Sequence, residues 1–308
     1  MKEHIIYRTS SLYRGEFRVR AFSFGEGEKS LCIVGNTRGH EYQQLYICGL
    51  LVRRLKELEE EGRLVPGKEI MVIPSVNPSS MNIGKRFWAI DNTDINRMFP
   101  GYDLGETTQR IAAGVFEVVN KFKNGIQFPS YYMPGGFCPH VRITRTGFEN
   151  VRKAEDFGLP HIVLRDPRPY DTTTLNYNWQ IWETDAYSLY SSTTKTLDPQ
   201  SAGLVLSAVE RFMIKNGMLT GELTEHTQAR VFNDDELLNV RTECAGLFRS
   251  FVGLGDEVEA GDICAEVCDP YTGEVIETLI APERGTVFFM QDEPLVYAKT
   301  AVIKILPI

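Results

Sequence analysis

Leu31-Cys32-Ile33-Val34-Gly35-Asn36-Thr37-Arg38-Gly39-His40-Glu41 decides how this chain is read. Its four opening apolar residues suit a buried strand, Gly35 to Gly39 suits a turn, and Glu41 begins a stretch with helical spacing. From Glu41 to Glu61, Leu45, Cys48, Leu51, Leu55 and Leu58 share one helix face, with Arg53, Arg54, Lys56 and Glu59-Glu60-Glu61 on the remainder. Gly62 stops the helix. A strand that turns directly into a helix is where α/β proteins place their ligand sites, so the candidate chemistry sits in this turn.

The same alternation continues outward. Glu69-Ile70-Met71-Val72-Ile73-Pro74 suits a second buried strand, Thr107 to Phe122 a helix through Ile111, Val115, Val118 and Val119, and Ser201 to Gly217 another helix. Alternation of this kind predicts an α/β fold, a sheet flanked by helices on both faces. Between Ser130 and Lys195, Met133-Pro134-Gly135-Gly136, Asp166-Pro167-Arg168-Pro169 and the aromatic residues Tyr177, Trp179 and Trp182 predict long loops bordering a pocket. After Thr220 the pattern changes to short runs broken by glycine, such as Gly253-Leu254-Gly255-Asp256-Glu257-Val258 and Ala260-Gly261-Asp262. Such turn spacing predicts an all-β module, which places the domains at residues 1–222 and 223–308.

With 308 residues, 43% of them apolar, the chain is long enough for one large domain and a small one. A net charge of -8 with no dense Lys/Arg run argues against a nucleic-acid partner. No apolar run approaches membrane-spanning length, and Met1 to Arg8 lacks the apolar core of a secretory signal, so a cytoplasmic protein with no membrane partner is expected. The six cysteines are scattered without C-x-x-C spacing and read as free thiols of a reducing compartment. There is no G-x-S-x-G elbow, P-loop or G-x-G-x-x-G turn, which leaves serine and nucleotide chemistry without support.

The turn at Arg38-Gly39-His40-Glu41 is followed by Asn77-Pro78, Arg86-Phe87, Asp91 and Asp94-Ile95-Asn96-Arg97-Met98-Phe99-Pro100-Gly101. In order and spacing these segments resemble the succinylglutamate desuccinylase/aspartoacylase family, relatives of the zinc carboxypeptidases, and the likeness extends over nearly the whole chain. It implies a carboxypeptidase-like domain with a mixed sheet flanked by helices, followed by an all-β module whose G-D-x-V-x-x-G-D rhythm is similar to biotinyl/lipoyl barrels and makes it barrel-like. The module has no lysine at a hairpin tip to carry a prosthetic group. The resemblance also implies a hydrolase that cleaves the amide of a small N-acyl amino acid, with Zn²⁺ held by two histidines and a glutamate.

Carried over by position, Glu41 is the retained metal ligand, while Arg38 and Pro129 stand where the family has its histidines. Glu183, in Ile181-Trp182-Glu183-Thr184, becomes the general base and Arg86 the group that polarises the scissile carbonyl. Asn96 and Arg97, with Asp94 beside them, become the substrate-binding group. An arginine has no lone pair for a metal, but in the metal's place it can neutralise Glu41 and Glu183. A shifted metal site using His40, Glu41 and His140 is the other arrangement on offer. Neighbours at a helix start diverge by about 100°, which disfavours joint coordination by His40 and Glu41.

Zinc lowers the pKa of bound water from about 15.7 to about 7, worth on the order of 12 kcal/mol, whereas a general base alone contributes roughly 3 to 5 kcal/mol. Two functions follow. One is a deacylase with zinc as cofactor. The other is a non-catalytic relative, with no cofactor, that binds a small anionic molecule such as an N-acyl amino acid or dicarboxylate, or binds a partner protein. Either is compatible with a homo-oligomer.

Overall fold

The computed structural model describes residues 1–11, 14–223 and 228–308. His226, a histidine outside every motif, lies outside the described residues. In chain order the first body contains strands β1 (Lys2–Ser11), β2 (Arg14–Gly25) and β3 (Glu28–Asn36), helix α1 (Tyr42–Glu60), β4 (Lys68–Ser75), the short helix α2 (Pro78–Met81) and α3 (Thr107–Val119). There follow β5 (Asn124–Gln127), β6 (Gly136–Phe137), β7 (His140–Thr144), the single turn α4 (Val151–Ala154), β8 (His161–Arg165), α5 (Leu175–Ile181), β9 (Asp185–Tyr190), α6 (Pro199–Lys215) and β10 (Arg230–Asn233).

Nine of these strands form one mixed sheet in the order β1-β2-β4-β3-β5-β9-β7-β8-β10. β3, the opening strand of the sequence analysis, lies near the middle and is buried from Ser30 to Asn36. Its side chains alternate between two cores. Leu31 and Ile33 face one with Leu51, Leu55 and Phe212, whereas Cys32 and Val34 face the other with Ile111, Val115 and Trp179. Both faces are covered, which is why this strand reads as an unbroken apolar run. Helix α1 ends as expected at Gly62, whose φ of +71° suits glycine. α6 begins at Asp198, whose carboxylate accepts from the N–H groups of Gln200 and Ser201 at 3.0 and 3.1 Å.

β3, β4, β5 and β9 are mutually parallel, so Asn36, Ser75, Gln127 and Tyr190 finish at the same end of the sheet. β7 runs antiparallel to β9, with His140 opposite Tyr190 and Arg142 opposite Ser188, which brings the start of β7 to that end too.

The remaining strands are β11 (Leu238–Arg241), β12 (Gly246–Ser250), β13 (Glu257–Val258), β14 (Ile263–Cys268), β15 (Val275–Ile280), β16 (Gly285–Met290), β17 (Leu295–Val296) and β18 (Ala301–Pro307). They form two antiparallel sheets, β11-β18-β16-β13 and β15-β14-β12-β17, around a core that includes Val267, Val287, Val302 and Ile303. Neither sheet closes on itself, so the module is a pair of open sheets where a barrel was expected. The expected boundary at 222/223 precedes β10, which pairs with β8 and completes the large sheet. In addition, β6 leaves the first body to pair with β16. Among the described residues no helix is long and apolar enough to cross a membrane.

Candidate anion-binding site

The turn after β3 is held by its own backbone and by the loop after β4. Val76 N–H donates to the Asn36 carbonyl at 2.7 Å, Gly39 N–H to the Arg86 carbonyl at 3.1 Å, and Ser75 Oγ to Asn36 Oδ1 at 2.9 Å. A Cβ on Gly39 would collide with the Ser80 backbone and the Lys85 carbonyl oxygen, so only glycine permits this approach. The turn thereby aims Arg38 and Glu41 at the carboxyl end of the sheet.

Glu41 is fully buried, and protein donors surround both of its oxygens. Oε2 accepts from Thr37 N–H (2.7 Å), Arg38 N–H (2.9 Å) and Thr37 Oγ1 (3.3 Å). Oε1 accepts from Ser130 Oγ (2.6 Å), Ser130 N–H (3.1 Å) and Arg38 Nη1 (3.4 Å). A carboxylate has about four lone-pair sites, and here six donors converge on them.

The Arg38 guanidinium, itself buried, turns its other edge to Asp94, donating to Oδ2 from Nη2 at 2.8 Å and from Nε at 3.1 Å. Burial opposes its charge, but Asp94 and Glu41 outweigh burial and hold its pKa above that of ordinary arginine. Asp94 was expected to bind substrate, but it is occupied with Arg38 and, through Oδ1, with the Asn96 N–H at 3.1 Å.

The cleft in front of this cluster has a volume of about 330 Å³. Arg38, Arg97, Arg142, Arg165 and Arg168 line it, and among the described residues Asp171 is the one acidic side chain on its wall. Asp171 is itself paired, with Arg165 at 3.0 Å and Arg97 at 3.3 Å. Asn96 and Pro129 are also on this wall, and Asn96 Oδ1 accepts from Gln127 Nε2 at 2.8 Å. Arg38, Asn96, Arg97 and Pro129 thus line one cleft.

Arg86 and Glu183 are not brought into this cleft. Arg86 lines a separate cavity with His40 and Lys195, and its guanidinium donates at 3.2 Å to the carbonyls of Tyr131 and Tyr132. Glu183 precedes β9, so it sits at the opposite end of the parallel strands, beside Glu28, Asn124 and Lys153. It cannot neutralise Arg38 from there, and Asp94 takes the place expected for it. At the cleft end of β9 stand Ser188 and Tyr190, neither of which is a carboxylate.

The two histidines of the shifted site are also apart. His40 belongs to the Arg86 cavity, where burial pushes its pKa down to about 4. His140 stacks flat on Tyr190 at 4.8 Å, and its Nδ1 lies 2.8 Å from the Cys138 carbonyl oxygen. Among the described residues, no group of three His, Cys, Asp or Glu side chains is arranged to hold a metal.

Residues 27–177 match the model of the succinylglutamate desuccinylase/aspartoacylase catalytic domain. About half of the chain thus carries the catalytic domain of this family. The family consists of deacylases of N-acyl amino acids. A curated relative, the N-alpha-acetyl-L-2,4-diaminobutyric acid deacetylase of Halomonas elongata, is 26% identical over 263 residues, covering 80% of this chain and 72% of the relative. Solved structures share the fold at low identity. A succinylglutamate desuccinylase from a Silicibacter species superposes with a TM-score of 0.82 at 18% identity, covering 99% of this chain and 94% of its own. The product-bound ectoine utilization protein EutE (DoeB) of Ruegeria pomeroyi does so with a TM-score of 0.79 at 20% identity, covering 94% and 89%.

Sequence reasoning missed Ser130, Tyr190, Arg142, Arg165 and Arg168. A signal was present for Arg142, a lone charge inside the strand-like run His140-Val141-Arg142-Ile143, where a charged residue on a buried strand has to face a site or a partner.

Burial also holds the His140 pKa well below that of ordinary histidine. The unfolded chain takes up this proton near pH 6.5 while the folded protein resists it, so stability should fall as the pH drops below 6.5. His140→Phe keeps a ring against Tyr190 and is expected to flatten the acid limb of a melting-temperature profile between pH 7 and pH 4.5. A limb as steep as that of the parent protein would show that His140 is not held neutral.

Proposed function

We propose that this family member binds a small carboxylate ligand, an N-acyl amino acid or a dicarboxylate, in the arginine-lined cleft and does not use zinc to hydrolyse it. The observation that carries this reading is the Arg38–Glu41 pairing. The family's metal needs lone pairs, and at its positions Arg38 and Pro129 have none while those of Glu41 are directed at protein donors. The donor set does not fit zinc. A fixed guanidinium supplies the positive charge in its place, and without an activated water the barrier to amide hydrolysis stays high.

The retained recognition groups favour an anion. Arg97, stacked over the Tyr170 ring at 5.0 Å, presents a planar set of donors to a carboxylate. One acid among five arginines makes the cleft unsuited to a cationic side chain such as the free amine of 2,4-diaminobutyrate. N-acetyl-L-aspartate is therefore expected to bind more tightly than Nα-acetyl-L-2,4-diaminobutyrate.

Thermal denaturation tests this reading. A ligand at a hundred times its dissociation constant adds about 2.7 kcal/mol, a shift of several degrees. Succinate or N-acetyl-L-aspartate should raise the melting temperature, and Arg97→Ala should abolish the rise. No shift with either ligand, an equal shift in the variant, or turnover of an N-acyl amino acid that a chelator abolishes and Zn²⁺ restores would overturn the proposal.

A further inference from the structure

Beyond Tyr131 and Tyr132 the cleft continues into a second cavity of about 440 Å³, where the large sheet meets the C-terminal module. The two cavities share those tyrosines together with Arg165 and Arg168. The module contributes Arg241, at the end of β11, and Lys304, on β18 opposite Asn239. Lys304 is only 7% exposed. Buried ammonium groups ordinarily sit against a carboxylate, yet among the described residues the Lys304 side chain makes no hydrogen bond or ion pair, and its nitrogen stands 5.5 Å over the Tyr131 ring.

Among the described residues, two more cations on this wall pair with no acid. Arg241 donates to the Lys299 carbonyl at 3.1 Å, and Arg168 to the Tyr170 hydroxyl at 2.8 Å. The acids nearby are engaged or face solvent: Asp234 pairs with Arg142 at 3.4 Å, Asp166 with Arg145 at 3.5 Å, and Asp235 is exposed. Burial lowers the Lys304 pKa, with Arg142 and Arg241 acting in the same sense and Asp234 against them, so an anion entering the cavity would relieve a charge that Asp234 only partly compensates.

We propose that this cavity is a second anion subsite, built by Lys304, Arg241 and Arg168, for a carboxylate or phosphate group on a ligand whose first carboxylate lies at Arg97. The assignment rests on the reading of the first cleft as a carboxylate site. It implies a ligand longer than a simple N-acyl amino acid, with anionic groups towards both ends.

Calorimetric titration of the full chain with inorganic phosphate and, separately, with succinate tests the subsite and tells phosphate from carboxylate. Lys304→Met fills the same space without charge, and Arg241→Gln changes an exposed residue, so at least one folded variant should be available. Each is expected to weaken one binding event at least tenfold for one of the two anions while leaving the event lost in Arg97→Ala intact. If neither variant alters either isotherm, the subsite does not exist. If Arg97→Ala changes nothing while Lys304→Met weakens binding, the subsite stands and the reading of the first cleft fails.

Discussion

Replacing Arg38 by methionine is expected to lower the unfolding free energy by about 3 to 5 kcal/mol, the usual consequence of removing one partner from a buried ionic cluster. Glu41 and Asp94 would be left facing each other across the space of the lost guanidinium, Glu41 fully buried and Asp94 with a side chain 15% exposed. Their fates differ. Glu41 keeps the N–H groups of Thr37, residue 38 and Ser130 and the Ser130 hydroxyl, whereas Asp94 keeps only the Asn96 N–H. Arg38→Met/Asp94→Asn should therefore recover more stability than Arg38→Met/Glu41→Gln, whose new amide would point donors at donors. Urea denaturation at pH 7 measures all three. A single-variant loss below about 1 kcal/mol, or equal recovery in the two double variants, would mean that Arg38 does not act as the cation of this site.

Zinc content should change by at least tenfold between the native protein and Arg38→His/Pro129→His. Protein dialysed against trace-metal-free buffer is expected to retain far less than one equivalent, because one carboxylate already surrounded by donors cannot hold the ion. The double substitution adds two imidazoles and removes the guanidinium from Glu41 Oε1, leaving two histidines and a glutamate, a common zinc donor set. Elemental analysis after supplying one equivalent of Zn²⁺ and dialysing again should then find nearly all of it bound. Stoichiometric zinc in the native protein would overturn the proposed function, and failure of the double variant to take up metal would mean that Pro129 is not placed as a ligand position.

The turn and the strands around it were legible in sequence because local signals agree there: an apolar run, glycines, then a helical stripe ended by Gly62. The same reading placed Arg38 next to Glu41, since three residues across a tight turn leave little choice of geometry. Glu183 was misplaced for a nonlocal reason. A motif letter does not reveal which end of a strand it occupies, and Trp182-Glu183-Thr184 enters β9 at its amino end, whereas β3 and β5 deliver their functional residues from the carboxyl end. Asp94 and Ser130 went unassigned to Arg38 and Glu41 because those contacts span 56 and 89 residues of chain and exist only once the loops fold over the sheet. The N-terminal hairpin β1–β2, whose strands carry frequent charges, gave no comparable apolar run.

The β10 and β6 pairings impose an order on the protein's manufacture. While the ribosome is still short of residue 230, β8 has an unpaired edge, and Gly136–Phe137 has no partner until β16 has been made. A chain terminated early, by a nonsense codon or by protease cleavage within residues 238–308, would leave β6 without β16 or β16 without β18, and open backbone of this kind recruits other strands. Partial products should thus be prone to aggregate and be removed by cellular quality control, so residues 238–308 keep neighbouring strand edges covered as well as contributing a wall of the second cavity.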